Sequence, residues 1–196
     1  MSHYYKTDDS LKDQDITIDF EFENQSFRFR SNSGIFSKSA IDKGSRALLD
    51  YLVTQPLSGA LLDIGCGYGL LGIVLKKVYP CLEVTLADVN RRAVETTKLN
   101  AQVNQVEGKV IFSDLYSAVS DSYDWIISNP PIRAGKDVVY KLIEEAREHM
   151  TKEGKLVLVI RKDQGALSAL RFCKEIYRTA EIVAKRKGYC IIRIES

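Results

Sequence analysis

A chain of 196 residues with 45% hydrophobic and 28% charged residues suits one globular domain that buries its core without disulfide or metal staples. No apolar run approaches the roughly 20 residues of a membrane helix, which excludes a helical membrane span. The net charge of +2 hides an asymmetry: residues 1–132 carry 13 Lys and Arg against 17 Asp and Glu, and residues 133–196 carry 15 against 9. A basic C-terminal part suits a polyanion such as RNA, although on charge alone an ordinary solvated surface is the simpler reading.

Residues 1–14 are polar and acidic and read as a disordered tail, leaving residues 15–196 as the domain. The tail lacks the charged-then-apolar order of a secretory signal. Cys66, Cys81, Cys173 and Cys190 are scattered with no CxxC pair, so reduced thiols in a cytoplasmic protein are expected. His3 and His149 form no metal or triad pattern.

Ile16, Ile18, Phe20 and Phe22 alternate with charged residues, and Phe27 and Phe29 resume after Asn24-Gln25, so residues 16–29 are predicted to form a β-hairpin. A helix is predicted from Ser39 or Asp42 to Thr54, with Ile41, Ala47, Leu48, Tyr51 and Leu52 as its apolar face. Strand-like ALLDI then leads into a Gly-rich loop and an apolar helix ending near Pro80. Residues 83–87 read as a strand, and 91–103 as a helix capped by Asp88 or Asn90. Residues 109–112 and 123–128 are strand-like. An amphipathic helix is expected over 136–150, with Gly154 closing the loop after it and a strand over 155–160. A helix over 167–177 and strands over 180–184 and 189–194, joined by Lys185-Arg186-Lys187-Gly188, complete the chain. Alternating strands and helices imply a doubly wound, Rossmann-like α/β fold. The expected sheet has seven mostly parallel strands and an antiparallel final strand, preceded by the hairpin and helix.

Two motifs carry chemistry. At the first strand-to-helix junction lies Asp63-Ile64-Gly65-Cys66-Gly67-Tyr68-Gly69. One frame, Gly67-x-Gly69-x-x-Gly72 with Asp88 roughly 20 residues on, fits a dinucleotide pyrophosphate and hence a nicotinamide-dependent oxidoreductase. The other frame sets an acid, Asp63, before alternate glycines, which suits a ligand bearing an ammonium and a sulfonium. Cys66 reads as a filler of the tight turn. The second motif is Ser128-Asn129-Pro130-Pro131-Ile132 at the end of an apolar strand. A residue before proline is pushed to extended geometry, and two prolines fix φ and remove two N–H donors. The result is a stiff corner where the Asn129 side-chain carbonyl and the backbone carbonyls of Ser128, Asn129 and Pro130 can grip an NH2 group. The charged pairs nearby divide: Arg161-Lys162 falls at the ligand edge of the sheet, whereas Lys185-Arg186-Lys187 reads as an ordinary charged turn.

The glycine loop followed by Asp88 in LADVN resembles class I S-adenosylmethionine-dependent methyltransferases. The resemblance implies that Asp63, Gly65, Gly67 and Gly69 hold the methionine part of S-adenosyl-L-methionine, and Asp88 with Val89 the ribose. It also sets Asp114 and Leu115 against the adenine, with a turn cap as the alternative role of Asp114. Asn129-Pro130-Pro131-Ile132 is similar to the Asn-Pro-Pro-aromatic signature of enzymes that methylate adenine N6, guanine N2 or glutamine N5. Here Ile132 replaces the aromatic, which weakens stacking on a flipped adenine. Ser33-Gly34-Ile35-Phe36-Ser37, then Ile41-Asp42-Lys43-Gly44-Ser45-Arg46-Ala47-Leu48-Leu49, resemble the entry segment of the small-subunit ribosomal RNA guanine-N2 methyltransferases, and Asn129-Pro130-Pro131-Ile132-Arg133-Ala134-Gly135-Lys136 resembles their single-domain Gram-positive branch. That likeness implies Asn129 and Pro130 as the catalytic corner, with Asn129 also beside the cofactor. It sets Phe36 and Ser37 over the methionine end. Pro131, Ile132, Arg133 and Lys136 become the acceptor contacts, and ribosomal RNA or the small subunit the partner. Protein glutamine, adenine N6 and a non-catalytic RNA-binding module are the alternatives.

Overall fold

The computed structural model describes residues 15–32, 41–131 and 135–195. The expected tail, residues 1–14, therefore lies outside the described residues, as do Phe36, Ser37, Ile132 and Arg133.

The chain opens with a hairpin of β1 (Asp15–Phe22) and β2 (Gln25–Asn32), followed by α1 (Lys43–Leu52). Then come β3 (Ala60–Ile64), α2 (Leu70–Val78), β4 (Glu83–Asp88), α3 (Arg91–Val103) and β5 (Lys109–Phe112). The second half holds β6 (Tyr123–Ser128), α4 (Lys136–Glu145), β7 (Met150–Arg161), α5 (Ala166–Ile176), β8 (Thr179–Arg186) and β9 (Tyr189–Glu195). Seven strands form one sheet in the order β5-β4-β3-β6-β7-β9-β8; β9 pairs antiparallel with both β7 and β8, and the other pairings are parallel. The expected Rossmann-like architecture is present, with the last strand inserted between β7 and β8.

Period-2 alternation divides the core between the two faces of the sheet. Leu61, Trp125, Ile127, Val157 and Val159 face α1, α2 and the hairpin, whereas Leu62, Ile64, Ile126, Leu156 and Leu158 face α4 and α5. Each fully buried aliphatic side chain contributes about 1.5–3 kcal/mol. Sheet order decides where a ligand can sit. From β3 the chain moves outward through β4 and β5, then returns to β6 on the other side. The crevice beyond the carboxyl ends of β3 and β6 is thus the topological switch point.

The hairpin docks on α3 through two amides. Asn100 and Asn104 lie one helical turn apart. Asn100 Oδ1 accepts from Arg30 N at 2.7 Å and its Nδ2 donates to Arg30 O at 2.9 Å. Asn104 repeats the pattern two residues back on β2, with Arg28 N at 3.1 Å and Arg28 O at 2.8 Å. The two side chains thereby complete the open edge of β2 as a neighbouring strand would.

Three details differ from expectation. The hairpin turn is Glu23-Asn24, both at positive φ (48° and 57°), and Gln25 already pairs with Phe22. The helix expected over 136–150 ends at Glu145, is followed by a 3-10 turn over Ala146–His149, and Met150 opens β7. Gly154 does not close a loop. It sits inside β7 at an irregularity against β6, where a Cβ would lie 2.8 Å from the Tyr123 carbonyl, so no larger residue fits. Among the described residues no helix is long and apolar enough to cross a membrane.

Candidate active site

The loop after β3 is a tight turn, with Gly65, Gly67 and Gly69 all at positive φ (71°, 59° and 87°). Gly69 caps α2, and a Cβ there would come within 2.8 Å of both Ile73 and Thr97. The loop's amides are used within the protein. Gly65 N and Cys66 N donate to Ala87 O at 2.8 and 3.0 Å, and Gly69 N donates to Cys66 O at 2.9 Å. Gly67 N donates to Asp88 Oδ2 at 2.8 Å, and Gly72 N to Asp63 Oδ2 at 2.9 Å. A pyrophosphate needs free N–H groups and no carboxylate nearby. This loop offers two carboxylates and few free amides, so the dinucleotide frame does not fit.

Asp63 is 1% exposed, and its Oδ1 is buried with no hydrogen-bond partner among the described residues. Burial raises its carboxyl to about 7 against the single Gly72 bond, and the charge of Asp88 adds to the rise. Half-buried Asp88 is also raised, chiefly by burial, while the N–H groups of Asn90, Gly67 and Val89 work the other way. Two closely set acids, one with an orphaned oxygen, form a negative floor that a cationic ligand would relieve. The chemistry of the donor set thus fits S-adenosylmethionine. Asn90, not Asp88, caps α3. Cys66 is buried, its thiol pushed well up by burial, with Sγ 3.7 Å from Thr97 Oγ1, so it fills the turn.

Beyond β5, Asp114 is exposed, and no hydrogen bond from the described residues reaches its carboxylate. The turn is capped instead by Ser113, whose Oγ accepts from Ala118 N at 3.0 Å. Leu115, half-buried at φ 48°, follows it, and Val89 is half-buried after β4.

Across the switch point, Ser128 Oγ donates to Ile64 O at 2.7 Å and ties the end of β6 to the start of the glycine loop. Asn129 comes next, half-buried, before buried Pro130 and half-buried Pro131. Asn129 Nδ2 donates to Asp42 Oδ1 at 3.1 Å and to Ser45 Oγ at 3.0 Å. Only a donor can face a carboxylate, so these contacts assign the amide. Its NH2 points to α1, and Oδ1 is left as the acceptor. Among the described residues no hydrogen bond reaches that oxygen. Asp42 also caps α1 by accepting from Ser45 N at 2.9 Å. Lys136, exposed at the start of α4, lays its ammonium 4.7 Å from the Tyr140 ring.

A family model for the methyltransferase small domain matches residues 26–193 of this sequence. The chain belongs to the methyltransferase small-domain family. It is 41% identical to the uncharacterized protein YbxB of Bacillus subtilis over 97% of this chain and 96% of that protein. It is also 39% identical to ribosomal RNA small subunit methyltransferase C of Aliivibrio fischeri, over 71% of this chain but 42% of that protein. The same-named protein of Photorhabdus laumondii is 45% identical, over 64% of this chain and 38% of its own length. The chain thus spans about two fifths of these ribosomal RNA methyltransferase relatives. Among solved structures, the T. thermophilus 16S rRNA N2 methyltransferase RsmC, in complex with AdoMet and guanosine, matches with TM-score 0.80 and 22% identity, over 92% of this chain and 50% of that one. The enzyme class expected from the motifs, a methyltransferase using S-adenosylmethionine, stands with the family.

Several supporting residues escaped the linear reading. Thr97 and Asn100 of α3 brace the family's glycine loop from behind, with Thr97 Oγ1 donating to Gly67 O at 2.9 Å and Asn100 Nδ2 to Tyr68 O at 2.8 Å. Phe29 of the hairpin packs edge-on against Tyr68, ring centres 5.7 Å apart. Asp42 was legible as a helix cap, but its reach to Asn129 was not.

Proposed function

We propose that the chain transfers a methyl group from S-adenosylmethionine to the exocyclic 2-amino group of a guanine in small-subunit ribosomal RNA. The observation that carries the reading is the Asn129 amide, whose NH2 is engaged by Asp42 and Ser45 so that its carbonyl is left to accept from a ligand. An exocyclic amine has two hydrogens to donate. Asn129 Oδ1 and the Pro130 carbonyl take them, which turns the nitrogen toward the methyl and favours its pyramidal form. When bound, the cofactor supplies a methyl already activated by its positive sulfur. Transfer of that methyl to the amine would leave S-adenosylhomocysteine as the departing group, and the methylated amine would pass its proton to water. No strong base is needed, so alignment and exclusion of water are the protein's contribution.

Asp63, Gly65, Gly67 and Gly69 hold the methionine end, a role that the family resemblance extends to Phe36 and Ser37. Asp88 and Val89 take the ribose, and Asp114 and Leu115 the adenine. Pro131, Ile132, Arg133 and Lys136 meet the acceptor nucleotide. Support comes from the relatives named ribosomal RNA small subunit methyltransferase C and from the fold match to an enzyme complexed with AdoMet and guanosine. Ribosomal RNA or the assembling small subunit is then the partner, and the cytoplasm the setting. The test is incubation with methyl-labelled cofactor and, separately, small-subunit RNA, assembled subunits and ribosomal proteins. Label recovered as N2-methylguanosine is the expected result. Label in glutamine, or on adenine N6, overturns the acceptor assignment.

A further inference from the structure

A cleft of about 580 Å³ lies beside the end of β7 and shares no residue with the cofactor and acceptor groups proposed above. Four cations from three segments line it: Lys43 in the first turn of α1, Arg161 at the end of β7 with Lys162 directly after it, and Lys187 in the β8–β9 turn. All four are exposed. The cleft's single acid, Asp163, pairs with Arg161 at 2.9 Å, so the lining carries four positive charges against one negative. No ion pair among the described residues involves Lys43, Lys162 or Lys187. Packing does not explain the gathering of these charges. Lys43 and Lys187 are distant in sequence, and each side chain has water available elsewhere.

The rims are fixed. Lys162 N donates to Gly188 O at 2.9 Å, which pins the end of β7 to the β8–β9 turn. Half-buried Tyr189 lines the floor, its ring against Gly44, where an added Cβ would lie 3.0 Å from it. A flat ring among unpaired cations is the combination that binds single-stranded nucleic acid without reading sequence. The cleft also abuts the reactive corner. Lys43 directly follows Asp42, which holds Asn129, and β7 is the strand beside β6.

We infer that this cleft is the track for the single-stranded RNA flanking the methylated nucleotide. Lys43, Lys162 and Lys187 neutralise its phosphates and Tyr189 stacks a neighbouring base. The inference rests on RNA being the substrate. An acidic protein segment would use the cations but not the stacking ring.

The test measures binding of fluorescein-labelled single-stranded RNA by anisotropy across a salt series. It uses the full chain and the triple variant Lys43→Gln, Lys162→Gln, Lys187→Gln. The variant should bind roughly tenfold or more weakly, and its log–log salt slope should be shallower by about 2, since each single-strand phosphate contact contributes about 0.7. Cofactor affinity by calorimetry should not change. A control of equal charge, Lys98→Gln, Lys141→Gln, Lys174→Gln, should keep the slope. Tyr189→Ala should weaken binding about fivefold or more while Tyr189→Phe restores it. If the wild type methylates RNA and the triple variant binds with an unchanged slope, the cleft is not the track and the methyl-transfer reading stands. If the wild type neither binds nor methylates RNA, both fall. Loss of binding to assembled subunits but not to naked RNA would make the cleft a protein-docking face and overturn the inference.

Discussion

Among the described residues, Asp63 and Asp88 accept only from nearby backbone N–H groups, whereas Asn129, across the switch point, is held by two side chains 87 and 84 residues away. The two sides also differ in sign. Buried and half-buried acids floor the first, and Lys43, Arg161, Lys162 and Lys187 edge the second. Under the proposed function, the contrast is between two ligands in one crevice. A cation is favoured where carboxylates are held by nearby backbone N–H groups. The neighbouring corner is assigned a neutral amine and relies on an amide turned by side-chain contacts.

Breaking the long-range side should cost the most. Asn129→Ala should lower kcat/KM by roughly a hundred- to a thousandfold, the range for losing one polar group aimed at the reacting atoms. Its cofactor affinity by calorimetry should change little. An equal loss of cofactor binding would erase the division between the two sides. Next comes the brace they share. Asn100 joins the hairpin, α3 and the glycine loop through three hydrogen bonds, so Asn100→Ala should destabilise the fold by about 3 kcal/mol in urea melts. A change below about 1 kcal/mol would mean the hairpin is not coupled to the loop.

On the local side, Asp88→Ala should weaken cofactor binding about thirtyfold, as expected for losing hydrogen bonds to a charged group. Asp42→Asn sharpens the comparison further. Asn caps a helix as well as Asp does, so the melting temperature should hold. The amide of Asn129 loses its carboxylate reference, and kcat should fall about tenfold with cofactor affinity unchanged. A fall in cofactor affinity instead would assign Asp42 to the first side.

The smallest effect is a slope with pH. Burial holds the Asp63 carboxyl at about 7, well above its ordinary 3.8. In the free protein the neutral form is therefore favoured below about pH 7. Its contribution to folding stability is present below the ordinary value and is lost as pH rises through about 7. Cofactor affinity moves the other way. A cation favours the carboxylate, so calorimetric Kd should rise severalfold as pH falls from about 8 to about 6. Asp63→Asn should flatten that dependence. An unchanged slope in the variant would assign it to another group.

Much of the fold was legible because its signals are local. Apolar runs such as Trp125-Ile126-Ile127 and Leu156-Val157-Leu158, caps such as Asn90 and the run of glycines each depend on a few neighbouring residues. The α-helix ends at Glu145, short of the 136–150 reading, because the apolar spacing continues into Ala146 and Met150, which bury against the same core from a 3-10 turn and from the first residue of β7. At the site, the residue types at the glycine loop and the Asn-Pro-Pro corner were readable, but the direction of the Asn129 amide was not.

By itself the sequence determined the order of strands and helices, the tightly turning glycine loop after β3, and the stiff corner after β6. Each follows from backbone restrictions carried by a handful of adjacent residues. Only the tertiary structure decided which way the Asn129 amide faces, how Asn100 and Asn104 complete the edge of β2, and that Lys43, Lys162 and Lys187 share one cleft. Hydrogen bonds and charge gatherings between distant segments depend on how the chain closes in space, and residue order does not encode that closure locally.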